Sequence, residues 1–410
     1  MTNKLKTITF EQVSFYSVLL FALTLPLSRA AISFFIFWFL LLVIVKKDYK
    51  NSFDILKENK IFIYLGIFFI YIFLSALWSD DTQNMVRHLR LYGYWIIIPC
   101  LVILTKQEWL YKILNAFLLG MFISEIISYG IYFELWSIEG SSPTQPSPFM
   151  LTIHYSVFLA FTSLVLLYRF LFEDESLKAK FILFLFFLMT TTNLLLSTGR
   201  TGQLAFFVTL FIVFIIRYKV SIKSIFLSTI FFIAISFIAY SNLDLFKQRV
   251  DAAIVDIKKV VLKKDFGTSW GLRAGFWIIT YDALKEKPIF GYGLGDHKLT
   301  SNEMINKNEY PNFSKFVKKF LTSSHYHNQY LMIAIEGGIL GLFLFLLFIY
   351  KIYRLKIDDL EMKHIGIIGI TVLLISFIGD PLLFLQFPLT LFLFVVALNI
   401  IGSKNEIKNV

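Results

Sequence analysis

Residues 181–216 read FILFLFFLMTTTNLLLSTGRTGQLAFFVTLFIVFII, two apolar runs joined at Ser197-Thr198-Gly199-Arg200-Thr201 with almost no loop. A bilayer core takes roughly 20 mainly apolar residues per helix, so 181–197 and 201–216 predict two membrane helices that turn back on each other. Working outward, the same criterion picks out runs near 13–28, 30–45, 61–78, 91–105, 110–132, 149–168, 224–241, 328–350, 364–379 and 383–402. The chain is therefore expected to be an all-α integral membrane protein of about 12 transmembrane helices. Composition agrees: 16% of residues are charged and 57% hydrophobic, where a soluble domain carries roughly 25% charged. Cys100, the single cysteine, excludes a disulfide framework, a Cys-based metal site and a thiol relay.

The basic residues set the orientation. With the N-terminus inside, the inside segments hold twenty-one Lys and Arg, among them Lys4, Lys6, Lys404 and Lys408, while the short outside segments hold Arg29, Arg87, Arg90 and Arg200. That asymmetry is the positive-inside pattern, and it places both termini in the cytoplasm. Lys4 and Lys6 before an apolar run have the look of a signal peptide. A second run follows after only Pro26 and Ser28-Arg29, with no convincing cleavage site, so a retained helix is expected. The net charge of +11 is on this reading mostly a topology signal, and nucleic acid is not expected as a partner. The other fourteen basic residues lie in 242–326, a long outside segment. The expected organisation is helices one to nine in 1–241, a mostly helical outside segment in 242–326, and helices ten to twelve with a cytoplasmic tail in 327–410.

Three features of the outer side invite chemistry. Arg200 is fixed at the membrane boundary, where an unpaired guanidinium costs at least a few kcal/mol. Against the plain alternative of an arginine snorkelling to headgroups, its Ser, Thr and Gly neighbours supply hydroxyls and a helix N-terminus suited to an anion. Arg273 opens a stretch, Trp270 to Lys285, patterned like a helix on a membrane surface. Its small neighbours give a ligand access to the guanidinium, although a surface salt bridge explains it equally well. Arg87 and Arg90 follow Asp80-Asp81 on the same side, where contact with lipid headgroups is the plain reading.

His327 lies in Ser323-Ser324-His325-Tyr326-His327-Asn328-Gln329, where the chain re-enters the membrane. A histidine there is often structural, yet it is also a base near neutral pH, with Asn328 or Gln329 placed to orient it or to bind a sugar hydroxyl. Downstream, Glu336-Gly337-Gly338-Ile339-Leu340-Gly341 spaces small residues so that another helix can approach. The Gly291, Gly293 and Gly295 cluster is expected to be a turn. No His, Asp or Glu cluster has metal-ligand spacing, and no metal or other cofactor is expected. Proton-coupled transport is poorly supported, because Glu125 and Asp380 are nearly the only acids within the runs.

The order Ser197-Thr198-Gly199-Arg200-Thr201, then Arg273, Trp277, Pro288 and Gly291-Tyr292-Gly293, then His327-Asn328 and Gly338-Ile339-Leu340-Gly341 resembles the O-antigen ligase and polymerase superfamily. In the ligase signature a Thr or Val often follows the final glycine, where this chain has Leu342. The resemblance covers roughly helices seven to ten and the long outside segment. It implies a bacterial inner-membrane glycosyltransferase with a periplasmic site, which moves a glycan from undecaprenyl diphosphate to a sugar hydroxyl with inversion, without metal or nucleotide. On that resemblance Arg200, Arg273 and His327 are the expected catalytic residues, and Arg87, Arg90, His325 and Asn328 are expected to bind substrate. An O-antigen ligase acting on lipid A-core oligosaccharide is the leading expectation, with membrane lipids as the other partners. A polymerase extending the lipid-linked glycan is the nearest alternative, and a polysaccharide transporter a more distant one.

Overall fold

The computed structural model describes residues 9–403 other than position 175, so the charges counted at Lys4, Lys6, Lys404 and Lys408 lie outside the described residues. Its helices are α1 (Phe10–Thr24), α2 (Arg29–Lys46), α3 (Tyr49–Glu58), α4 (Ile61–Ser75), α5 (Thr82–Gly93), α6 (Ile97–Leu104), α7 (Leu110–Tyr132), α8 (Thr152–Phe172) and α9 (Leu177–Leu196). They continue with α10 (Arg200–Tyr218), α11 (Ile222–Asn242), α12 (Asp244–Lys263), α13 (Ser269–Glu286), α14 (His297–Lys307), α15 (Lys315–Ser323), α16 (Gln329–Tyr353), α17 (Leu360–Ser376) and α18 (Gln386–Gly402). Among the described residues there is no strand beyond an isolated bridge between Ser142 and Gln145.

Each of the twelve apolar runs falls on a helix, and nine helical segments among the described residues are long and apolar enough to cross a membrane. The protein is a multi-pass, all-helical membrane protein. The runs at α1, α17 and α18 fall short of that length or composition: α1 and α18 are short apolar helices, and α17 opens with Glu361 and Lys363. The run expected at 91–105 starts earlier, because a 3-10 turn joins α5 to α6 in one segment, Thr82–Leu104. Arg87 and Arg90 therefore ride on a helix and not on a loop.

Helix starts follow from local chemistry. Ser28, Asp81, Ser176, Thr268, Ser314, Asn328 and Asp359 each cap a helix by accepting a backbone N–H from its first turn. The helices pack around α8 and α18, whose side chains are buried along most of their lengths. At one end Arg169 Nε bonds Glu361 Oε1 at 2.6 Å and locks α8 to α17.

The segment 242–326 is helical, as expected, and holds α12 to α15. Its second helix, α13, differs from a helix lying on a membrane. Phe276, Ile279 and Ala283 are buried in the protein core, with α13 packed on α16, while Trp270 and Trp277 stay exposed. The amphipathic pattern was present, but protein supplies the apolar surface on one face.

The glycines of α16 do more than admit a helix. Tyr71 of α4 does pack at Gly337 and Gly341, and its hydroxyl donates to the Gly337 carbonyl. Gly338, however, has φ +64° and breaks the helix. The stretch 288–293 docks into the break: Tyr292 N donates to Ile335 O (2.9 Å), Gly293 N to Glu336 O (3.0 Å) and Ile339 N to Pro288 O (2.8 Å). Backbone groups released by the kink are thereby paired, as burial demands. A Cβ on Gly338 would lie 2.1 Å from Ile289 O, and one on Gly291 2.4 Å from Gly338 N. The glycine cluster read as a plain turn is thus half of a loop-to-helix joint.

Gly338→Leu should lower the detergent-solubilised melting midpoint by several degrees, since it adds a left-handed penalty of about 1–2 kcal/mol to a clash with backbone. Gly66→Ala, where nothing lies within 4 Å, should leave the midpoint unchanged or raise it. Equal midpoints for the two variants would contradict the joint.

Candidate functional site

The turn between α9 and α10 is held against α8. Gly202 presses on the Ser156 backbone so closely that a Cβ would lie 2.1 Å from Ser156 O, and Gly202 N donates to Ser156 Oγ at 3.1 Å. Gln203 Nε2 donates to the carbonyls of Leu194 (3.1 Å) and Ser197 (2.9 Å), which ties α10 to the end of α9. Arg200, the first residue of α10, is half-buried, and its Nη1 is enclosed with no hydrogen-bond partner among the described residues. A buried donor left unpaired costs about 1–3 kcal/mol, more when charged, and an incoming anion would recover it. Next to it, Thr201 meets the turn after α17: a Cβ on Gly379 would lie 2.7 Å from Thr201 Oγ1. Asp380 is thereby set beside the start of α10.

Asp380 holds His327. The imidazole Nδ1 donates to Asp380 Oδ1 at 3.0 Å, with the His327 side chain 23% exposed and the carboxylate 4%. With Nδ1 carrying its proton toward the carboxylate, Nε2 keeps its lone pair for a substrate proton. Phe320 stacks on the ring at 5.8 Å, 9° between planes. The backbone at His327 has φ +47°, an arrangement costing about 1–2 kcal/mol for a residue with a Cβ. It persists because the chain that follows is fastened: Gln329 N donates to Phe377 O (2.8 Å) and Leu383 N to Gln329 Oε1 (2.8 Å).

Asn328, expected to bind substrate, has its amide engaged elsewhere. Oδ1 accepts from Tyr330 N and Leu331 N at 2.9 and 3.0 Å, and Nδ2 donates to Ile378 O at 3.2 Å. It caps α16 and anchors the His327 turn. His325 packs 4.2 Å from the His327 ring, and its Nδ1 accepts from His327 N at 3.3 Å. Burial pushes the His325 imidazole down to about 4 against the opposing pull of Asp380, so it is neutral at pH 7.

Arg273 enters from α13, where Nη1 donates to Ser269 O (3.0 Å) and Oγ (2.8 Å). Burial lowers its proton affinity from the ordinary arginine value; Asp380 opposes that shift, and Arg200 adds to it. A guanidinium stays charged through such shifts. Arg273, Arg200, Asp380 and His327 therefore share one electrostatic neighbourhood. Arg200 also lies within electrostatic reach of Arg249 and Asp256 of α12. Buried His154 of α8 lies within reach of Asp380 and Arg29, with its Nδ1 unpaired among the described residues.

Two cavities open beside this neighbourhood. One, of about 580 Å³, is lined by Arg29, Thr198, Arg249 and the 139–153 loop. The other, of about 360 Å³, has Arg87, His325 and His327 on its wall. Arg90 is exposed on α5 and is not among the residues lining either.

The chain fold also assembles ligand-like groups that sequence spacing did not show. His88, His297 and Glu336 are all buried, with Glu336 Oε1 3.2 Å from His88 Nδ1 and 3.1 Å from His297 Nδ1. His325, His327 and Asp380 form a second group of metal-ligand size. Hydrogen bonds account for the contacts in both groups, and in the second the His325 Nδ1 already accepts from the backbone.

Comparison with known proteins bears on what this geometry serves. Residues 184–346 match a family model described as O-antigen ligase. The match covers about two-fifths of the 410-residue chain. The matched span contains Arg200, Arg273, His327 and the Gly338–Gly341 joint, whereas Asp380 and Arg87 lie outside it. The resemblance to the O-antigen ligase superfamily read from the sequence is borne out. A Haemophilus influenzae protein named "Uncharacterized protein" is 25% identical over 338 residues, 78% of this chain and 79% of its own. Proteins of Rickettsia conorii and Rickettsia typhi, each named "Putative polysaccharide ligase", are 38% and 35% identical over 95 residues, about a fifth of each chain.

Asp380, Glu336 and His154 were not singled out as site residues in the sequence. An acid inside an apolar run was the available signal for the first two; nothing in the local sequence marks His154. The His325 geometry has a pH consequence. Its folded value of about 4 lies below the usual histidine value of about 6.5, so the unfolded chain binds the extra proton between those values. Stability from this group is present above about pH 6.5 and lost as pH falls toward 4, by at most about 3 kcal/mol. A pH series of melting midpoints should show that acid loss flattened in His325→Gln. The same acid slope in both proteins would contradict the assignment.

Proposed function

We propose that this protein is an O-antigen ligase, which transfers a polysaccharide from undecaprenyl diphosphate to a hydroxyl of lipid A-core oligosaccharide at the periplasmic face of the bacterial inner membrane. The observation that carries the reading is the gathering of Arg200, Arg273 and the His327–Asp380 pair from four separate parts of the chain. The segment 242–326 is then periplasmic and both termini cytoplasmic, in keeping with the positive-inside pattern.

Nε2 of His327 takes the proton of the acceptor hydroxyl, and Asp380 stabilises the imidazolium that forms. The acceptor oxygen bonds to the anomeric carbon from the face opposite the diphosphate. The carbon–oxygen bond to the diphosphate breaks, the electron pair stays on the leaving oxygen, and configuration inverts. Arg200 and Arg273 receive the growing phosphate charge, a role suited to bidentate guanidiniums. The unpaired Arg200 Nη1 is a donor held ready for it. No carboxylate nucleophile is needed.

Arg200→Ala, Arg273→Ala and His327→Ala should each abolish the ladder of long lipopolysaccharide in a host lacking its own ligase, with protein abundance intact. Asp380→Asn should cut transfer by roughly 10²–10⁴-fold, the usual worth of an oriented base. A normal ladder from the Arg or His variants would refute their roles. Reconstitution with lipid-linked glycan and two competing acceptors decides the reaction: product on lipid A-core means ligase, whereas product on a second lipid-linked glycan means polymerase.

A further inference from the structure

The 360 Å³ cavity lies within the roughly 300–1,000 Å³ range of small-molecule sites, and its charge is one-sided. Arg87 of α5 and Lys298 of α14 supply two cations and Ser324 a hydroxyl, while Ser323 Oγ donates to Lys319 O at 2.9 Å. No carboxylate is among its lining residues. Glu336 sits behind His88 and His297, held by their Nδ1 atoms and buried, while the two rings line the cavity. Asp81, a carboxylate within electrostatic reach of Lys298, is engaged in capping α5, with Oδ1 accepting from Asn84 N at 3.0 Å and Oδ2 from Asn84 Nδ2 at 2.7 Å. Phe384, Met332 and Leu385 add apolar wall, as a sugar ring face requires.

Position assigns the occupant. His327 is on the wall of this cavity, so a molecule held there can present a hydroxyl to the base. Arg200 and Arg273 are not among the lining residues. The cavity is therefore distinct from the guanidinium pair given above to the donor diphosphate. We propose that it is the acceptor subsite and that it recognises a phosphate monoester on the acceptor sugar, with Arg87 and Lys298 binding the phosphate and Ser324 donating to one of its oxygens. An arginine fork, an ammonium and a hydroxyl lining one space match the three-oxygen dianion. The proposal rests on the transfer reading for the acceptor, but not for the anion site itself.

The test uses the full chain purified in detergent, with a hexose 6-phosphate as probe and the parent hexose as control, read by calorimetry and ³¹P line broadening. The phosphorylated sugar should bind and the parent sugar should not. Arg87→Ala and Lys298→Ala should each weaken binding by about tenfold or more, the loss of one charge-assisted contact, with unchanged melting midpoints. Arg273→Ala should still bind the probe. Binding that survives Arg87→Ala and Lys298→Ala but fails with Arg273→Ala would overturn the proposal, because the anion would then occupy the donor side. Binding abolished by a chelator would also overturn it, since phosphate would then be riding on a metal held by the histidine groups. In reconstituted transfer, Lys298→Ala should raise KM for a phosphorylated acceptor while leaving KM for its dephosphorylated form unchanged. Probe binding that depends on Arg87 and Lys298 in a protein that transfers to no acceptor would sink the transferase reading and leave the anion site standing.

Discussion

The bond between Asp380 and His327 is the constraint around which the charged end of this protein is arranged. A buried carboxylate is costly without partners, and here it has an imidazole at 3.0 Å and the field of Arg273. Its position is inherited from a close packing contact, Gly379 against Thr201. The same contact sets it near Arg200. Without that carboxylate, two guanidiniums would repel one another in a half-buried space. With it, the cluster keeps a net positive character that still needs an anion.

Rigidity for this cluster comes from backbone joints and not from loops. The left-handed turn at His327 is fastened by the two residues that follow it, Asn328 bonding Ile378 O and Gln329 pairing with the 377–383 turn. One helical stretch further along, the break at Gly338 admits the 288–293 strand of chain, so α13 and α14 are fixed to α16 by main-chain hydrogen bonds. Arg273 on α13 and Lys298 on α14 are thus held relative to His327 by the same joint. Such a broken helix is tolerated at membrane depth only where its free backbone groups are paired, which the docked stretch achieves.

Two cavities open beside the cluster. Arg29, Thr198 and Arg249 line one and His327, Arg87 and Lys298 the other, and Asp380 is in electrostatic reach of His325 on the wall of the second. His327 lines the second cavity while its carboxylate partner Asp380 is in the field of Arg273, which lines neither. Glu336, enclosed by two histidines, keeps its negative charge out of the second cavity.

Much of this was written in the sequence. Long apolar runs can only be helices where no water is available to the backbone, so all twelve runs fell on helices. An arginine wedged between two such runs, and a histidine at a re-entry point, are costly enough to be conspicuous. Arg200 and His327 therefore stood out from local pattern, and the resemblance to the ligase superfamily joined Arg273 to them as an expected site residue. Their convergence could not, because it depends on glycine contacts between segments more than a hundred residues apart, such as Thr201 with Gly379. Asp380 as the partner of His327, the capping duty of Asn328, the enclosed Glu336 and the docking of 288–293 into α16 were decided by tertiary packing. The physical reason is range: helix formation and membrane partition are summed over neighbours along the chain, whereas a hydrogen bond or a backbone-to-backbone approach is set only once distant segments are packed.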